Sequence, residues 1–126
     1  MNLVDSSALL EYFMGTADGA RFAAASENHA NLIVPTVVVY EVTKRLTKVL
    51  GQDAADAALT GLRNGNVVPL DEELAISAAR ISVKHNLAMA DSIIYATAEA
   101  HAATLWTQDE HFKNLPNVRY FPKTTP

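Results

Sequence analysis

The stretch Leu32-Ile33-Val34-Pro35-Thr36-Val37-Val38-Val39-Tyr40-Glu41-Val42 decides the architecture. Leu32-Ile33-Val34 is too short an apolar run for a helix and fits a strand buried on both faces, and Pro35, which has no N–H for a ladder, stops it. Thr36 reads as the cap of a helix that begins at Val37. Along that helix Val39, Val42, Leu46, Val49 and Leu50 form one apolar stripe, with Lys44 and Lys48 elsewhere. A strand running directly into a long helix is half of a strand–helix–strand unit, and the pattern recurs on both sides of it.

Upstream, residues 2–5 read as a strand that leads into a helix over 6–14, stopped near Gly15, and a second helix spans 18–28. Downstream, Gly51 closes the central helix and an alanine-rich helix covers 53–62. The turn residues Asn64-Gly65-Asn66 precede a strand over 67–70. Asp71 caps a helix with Glu72 and Glu73 in its first turn, ending at His85-Asn86. A helix over 90–102, a strand over 104–106, one turn at 110–112 and a strand over 118–121 follow, with 123–126 read as a frayed tail. Strands alternating with helices predict an α/β class fold, a three-layer α/β/α sandwich with a five-stranded, mostly parallel sheet.

With 126 residues, the chain is expected to form a single domain over 1–126 with one core. Ten Lys+Arg against 14 Asp+Glu give a net charge of −4, which disfavours a broad, non-specific polyanion binder. The absence of cysteine excludes disulfides and thiolate zinc sites and fits a reducing compartment. No apolar run approaches the roughly 18 residues of a membrane span, and the first basic residue is Arg21, so the expectation is a soluble, cytoplasmic protein with no membrane partner.

In an open parallel sheet, ligands bind at the carboxyl ends of the strands, near the switch point. Asp5 ends the first strand. Glu41 lies five residues beyond Thr36, about 7.5 Å along its helix, and overhangs the same edge. Asp91 belongs to the first turn of the helix that delivers the chain to the fourth strand, and Asp109 follows that strand by three residues. Singly, Asp5, Asp91 and Asp109 each read equally well as helix caps, and Glu41 as a surface partner of Arg45. Together they need a cation, because two negative charges ~4 Å apart repel by about 4 kcal/mol at an effective dielectric of 20. Oxygen ligands without cysteine select Mg²⁺, or Mn²⁺, over zinc. Such a site suits phosphodiester hydrolysis, and the cation explains how an acidic pocket receives a polyanion.

These residues resemble the PIN-domain nucleases, in particular the small stand-alone VapC-type toxins of prokaryotic toxin–antitoxin pairs, over nearly the whole chain. Val4-Asp5-Ser6-Ser7 resembles the family's opening aspartate, and Tyr40-Glu41-Val42 after Pro35 its helical glutamate. Asp91-Ser92-Ile93-Ile94-Tyr95-Ala96-Thr97-Ala98 is similar to its third acidic motif, and Thr107-Gln108-Asp109-Glu110-His111-Phe112 to its closing motif. The resemblance implies a Mg²⁺-dependent endoribonuclease, the toxin of a type II pair, with Asp5, Glu41, Asp91 and Asp109 as catalytic and metal-binding residues. Asp5 and Asp91 would be the foremost direct ligands, with one or two metal ions held. Ser7 and Thr107 would orient a carboxylate or water. It also implies an antitoxin whose tail enters the pocket, often with an arginine, and a homodimer.

For the RNA substrate, Lys44, Arg45 and Lys48 are the candidate phosphate contacts, ahead of Lys113 and Arg119. The four histidines lack close paired metal-ligand spacing, and His111, though beside the acids, reads as a surface histidine; Tyr95 and Trp106 read as core packing. Two rival readings are a receiver-like signalling domain, with Asp71 as phosphoacceptor, and a catalytically idle PIN-like binding module.

Overall fold

A computed structural model describes residues 1–124. Strands β1 (Asn2–Val4), β2 (Leu32–Pro35), β3 (Asn66–Val68), β4 (Thr104–Thr107) and β5 (Val118–Tyr120) form one sheet in the order β3-β2-β1-β4-β5. Every pairing is parallel, with Leu3 opposite Ile33 and Leu105, so the mostly parallel sheet of the sequence reading is wholly parallel. Leu3, Val4, Ile33 and Val34 are all buried. Neighbouring strand residues point to opposite faces, so helices cover the sheet on both sides and three layers result.

The helices are α1 (Ser6–Phe13), α2 (Ala23–Glu27), α3 (Thr36–Leu50), α4 (Gln52–Leu62), α5 (Glu72–His85) and α6 (Met89–Ala100). The sequence explains their ends. Asp5 caps α1 by accepting from the Ala8 N–H, and Asp71 caps α5 by accepting from the Leu74 N–H at 2.8 Å. Asn86 ends α5 in the left-handed region at φ 54°, and Gly51, at φ 97°, separates α3 from α4.

Six local readings are corrected. Pro35 does not stop the second strand but is its last residue, opposite Val68, and the strand read over 67–70 is Asn66–Val68. The helix over 18–28 is broken into a 3₁₀ segment, Gly19–Phe22, followed by α2. Gly19 lies so close to α1 that a Cβ would fall 2.2 Å from the Glu11 carbonyl oxygen, and this packing shapes the entry. Thr36 is the first residue of α3 and not its cap, since Pro35 occupies the cap position with extended backbone and no side-chain bond. The buried stripe of α3 is Val38, Val42 and Leu46, while Val49 and Leu50 are exposed. The tail is tied down through Thr124, which donates from N and Oγ1 to the Asp18 carboxylate; residues 125 and 126 lie outside the described residues.

The strand order disposes of the receiver-like alternative, whose sheet places the first strand between the second and third. Here β2 lies between β1 and β3. Among the described residues, no helix is long and apolar enough to cross a membrane.

Candidate active site

The sheet's switch point falls between β1 and β4, where the chain, having built outward through β2 and β3, returns to the other side of β1. The crevice outside their carboxyl ends is where such folds bind ligands. Asp5 and Thr107 face each other there, because the Asp5 N–H donates to the Trp106 carbonyl and continues the β1–β4 pairing.

Asp5 is 3% exposed and held by three donors. The Ala8 N–H and the Ser7 hydroxyl reach its Oδ1 at 3.0 and 3.1 Å, and the Thr107 hydroxyl reaches its Oδ2 at 2.5 Å. Two donors use both lone pairs of Oδ1, while Oδ2 keeps one acceptor site. Burial raises the Asp5 pKa to about 6, against the lowering effect of the bonds from Thr107, Ala8 and Ser7 and with a smaller push from the Asp109 charge. Thr107 is fully buried and also accepts from the Asp109 N–H at 2.9 Å, so one hydroxyl fixes both the first acid and the backbone of the last. Ser7 and Thr107 thus both donate to the Asp5 carboxylate.

Asp91 sits in the first turn of α6, whose cap position is Ala88, so it does not cap its helix. Its pKa is raised by burial first and then by the Asp109 charge; His111 opposes this, and Glu41 adds to it. Asp109 does cap, accepting from the His111 N–H at 2.9 Å at the start of the 3₁₀ turn Glu110–Phe112. Glu41 accepts from the Ser6 hydroxyl at 2.6 Å, and among the described residues no ion pair joins it to Arg45.

The four acids therefore share one neighbourhood through pairwise fields: Asp5 with Asp109, Asp109 with Asp91, and Asp91 with Glu41. Among the described residues, the set of metal-ligating atoms close enough to share one ion is smaller and different. Asp91, Asp109 and His111 each offer a ligand atom within 4.8 Å of the others, while Asp5 and Glu41 lie outside this group. His111 Nδ1 is 3.2 Å from Asp109 and 3.6 Å from Asp91. Two carboxylates and an imidazole fit a divalent cation, and the nitrogen makes the set more favourable to transition metals than an all-oxygen set.

His111 is exposed and stands beside the acids, as read; what the sequence does not show is how closely it approaches Asp91 as well as Asp109. One residue escapes the sequence reading. Ser6 looks like a neighbour of a helix cap, and nothing local points to Glu41, 35 residues away.

Two clefts flank these groups and share Ser7. One, of about 460 Å³, is lined by Ser7, Gln108, Asp109, His111, Tyr120 and Lys123. The other, of about 390 Å³, runs along α3 and is lined by Ser7, Tyr40, Glu41, Lys44, Arg45 and Lys48. The three phosphate candidates thus lie together. Arg119 is instead stacked on Trp106 at 4.2 Å, and Tyr95 is buried as expected.

Acids gathered at the switch point of a parallel three-layer sheet define a class of α/β domain with an anionic, cation-seeking crevice. The family model of the PIN domain matches residues 3–118, and the chain belongs to the PIN domain family. A comparison with curated proteins gave no match. Solved structures share the fold. A toxin–antitoxin complex from Klebsiella pneumoniae aligns with a TM-score of 0.83 and 21% identity, covering 98% of this chain and 100% of that one. VapC20 of Mycobacterium tuberculosis, a Sarcin-Ricin loop cleaving toxin, aligns with a TM-score of 0.77 and 19% identity over 94% and 97%. PAE2754 from Pyrobaculum aerophilum aligns with a TM-score of 0.71 and 24% identity over 94% and 89%.

Proposed function

We propose that the chain is a Mg²⁺- or Mn²⁺-dependent endoribonuclease, and that residues 1–126 act as a single domain, the cytoplasmic toxin of a type II toxin–antitoxin pair. The observation that carries this reading is the convergence of Asp91, Asp109 and His111 within 4.8 Å beside the buried Asp5, at the switch point of a PIN domain. Asp91 and Asp109, with His111, would hold the cation, and the free acceptor site of Asp5 Oδ2 and the carboxylate of Glu41 complete the set directly or through water. A divalent ion held there would supply charge neutralisation of the scissile phosphodiester and activation of a water for in-line attack.

The chain's own groups supply the positioning. Thr107 fixes Asp5 and the backbone of Asp109, and Ser6 aims Glu41. Lys44, Arg45 and Lys48 take the flanking phosphates. Structural relatives include toxin–antitoxin complexes, which supports an antitoxin partner here. An antitoxin arginine suits paired carboxylates through its planar fork. A homodimer is proposed from the family resemblance.

The test is cleavage of total RNA by the purified chain with Mg²⁺, Mn²⁺ or EDTA, with RNA ends mapped for wild type, Asp5→Asn and Asp91→Asn. New ends that need a divalent ion and vanish in both variants are expected. Undiminished cleavage by either variant contradicts the assignment, and no cleavage with either metal leaves a catalytically idle binding module.

A further inference from the structure

Tyr40 is the residue immediately before Glu41, and it is 62% exposed. A single exposed aromatic is ordinary on a protein surface. Its surroundings are not: of the chain's ten Lys+Arg, three, Lys44, Arg45 and Lys48, line the same cleft. Lys44 Nζ lies over the Tyr40 ring, 5.7 Å from its centre, so the cation takes one face of the ring and a base would stack on the other. A base on the ring and a phosphate on the ammonium are the two halves of one nucleotide. The chain as a whole is acidic, so this concentration of positive charge selects a polyanion at this place.

The cleft leads to the acids through Ser7, which lines both clefts and also bonds to Asp5. The second cleft repeats the pairing: Tyr120 forms part of its wall, and Lys113 Nζ lies 5.8 Å from the centre of that ring. A base within a duplex has both faces covered by its neighbours, and only an unpaired base can turn out onto a side chain.

We propose that Tyr40 is a base-stacking, positioning residue, which holds a base of the RNA in the α3 cleft while Lys44 takes the adjoining phosphate. This rests on the ribonuclease reading, and the test separates the two. Binding is read with Mn²⁺ from the stopped-flow quenching of 2-aminopurine in a short single-stranded RNA before turnover, and cleavage is read in the same buffer as separate kcat and KM. Tyr40→Ala is expected to lose the quenching and to raise KM about tenfold, with kcat changing far less. Tyr40→Phe is expected to restore both, and the same sequence annealed into a duplex to show no quenching.

The inference is overturned if Tyr40→Ala binds and quenches like wild type, or if Tyr40→Phe is as impaired as Tyr40→Ala, which would assign the effect to the hydroxyl. It is also overturned if Tyr40→Ala weakens only binding of an antitoxin, making the surface a protein contact. Wild type that quenches without cleaving removes the ribonuclease reading and leaves stacking supported. Wild type that does neither removes both.

Discussion

Replacing Asp5 with asparagine tests whether its carboxylate is held under electrostatic and desolvation strain in the metal-free protein. Burial raises its pKa from the ordinary 3.8 to about 6. A carboxyl with a raised native pKa holds its proton more tightly when folded. The resulting stabilisation is complete below about pH 3.8 and is lost as pH rises through about 6. At pH 7.5 the folded chain therefore carries the full cost, about 3 kcal/mol when the pKa difference is converted at ~1.4 kcal/mol per tenfold in proton affinity. The Asp5→Asn substitution keeps the cap on the Ala8 N–H and removes the charge, but its amide leaves the buried Thr107 hydroxyl without an acceptor, which costs about 1 kcal/mol. The expected net gain is about 2 kcal/mol, or about 8 °C in Tm for a chain of this length. Thermal and urea unfolding in EDTA would show the variant more stable than wild type at pH 7.5 and no more stable at pH 4. A pH-independent difference between the two, or no gain at pH 7.5, refutes the assignment of strain to Asp5.

Three further outcomes are expected. Thr107→Val removes the hydroxyl shared by Asp5 and the Asp109 N–H; it should cost about 1–3 kcal/mol in unfolding and 10- to 100-fold in divalent affinity by metal titration. Gly19→Ala and Gly61→Ala should have opposite signs in urea melts. The first drives a Cβ into α1 backbone and costs about 1–3 kcal/mol, whereas the second, with nothing within 4 Å, gains up to about 1 kcal/mol in α4. Mn²⁺ or Mg²⁺ at a hundred times its Kd should raise wild-type stability by about 2.7 kcal/mol, read as a Tm increase of about 10 °C that is reduced in Asp91→Asn.

The strands are legible in the sequence because short β-branched runs between turn and helix signals leave few alternatives, although β2 extends through Pro35 and β3 ends at Val68; Asp5 and Asp71 cap as their residue types predict. What escapes depends on distant parts of the chain. The central helix has apolar residues enough for two overlapping stripes, and only its packing partners choose Val38-Val42-Leu46 over the stripe ending at Val49 and Leu50. Gly19 breaks its helix because α1 passes within touching distance, which no local pattern records. At the candidate site, Asp5, Glu41, Asp91 and Asp109 are readable from strand ends and helix starts. The bond from Ser6 to Glu41 and the place of His111 need the folded chain.

How the protein tolerates its own acids bears on what they are for. Asp5 is held by hydroxyls and a backbone N–H, Glu41 by the Ser6 hydroxyl, and Asp109 by the His111 N–H. Asp91 lies in the first turn of α6, where the helix dipole favours a negative charge. Among the described residues, no lysine or arginine forms an ion pair with any of the four; only His111 does. Neutral donors orient carboxylates without cancelling their charge, so the field that attracts a divalent ion survives. A lysine at the same place would stabilise the empty fold and compete with the ion. The basic side chains that do lie near, Lys44, Arg45 and Lys48, line the α3 cleft together with Glu41, and Lys44 lies over the Tyr40 ring. In the proposed ribonuclease, acids left to the cation and basic side chains along α3 for the phosphates would let an acidic chain take a polyanion across a negative centre.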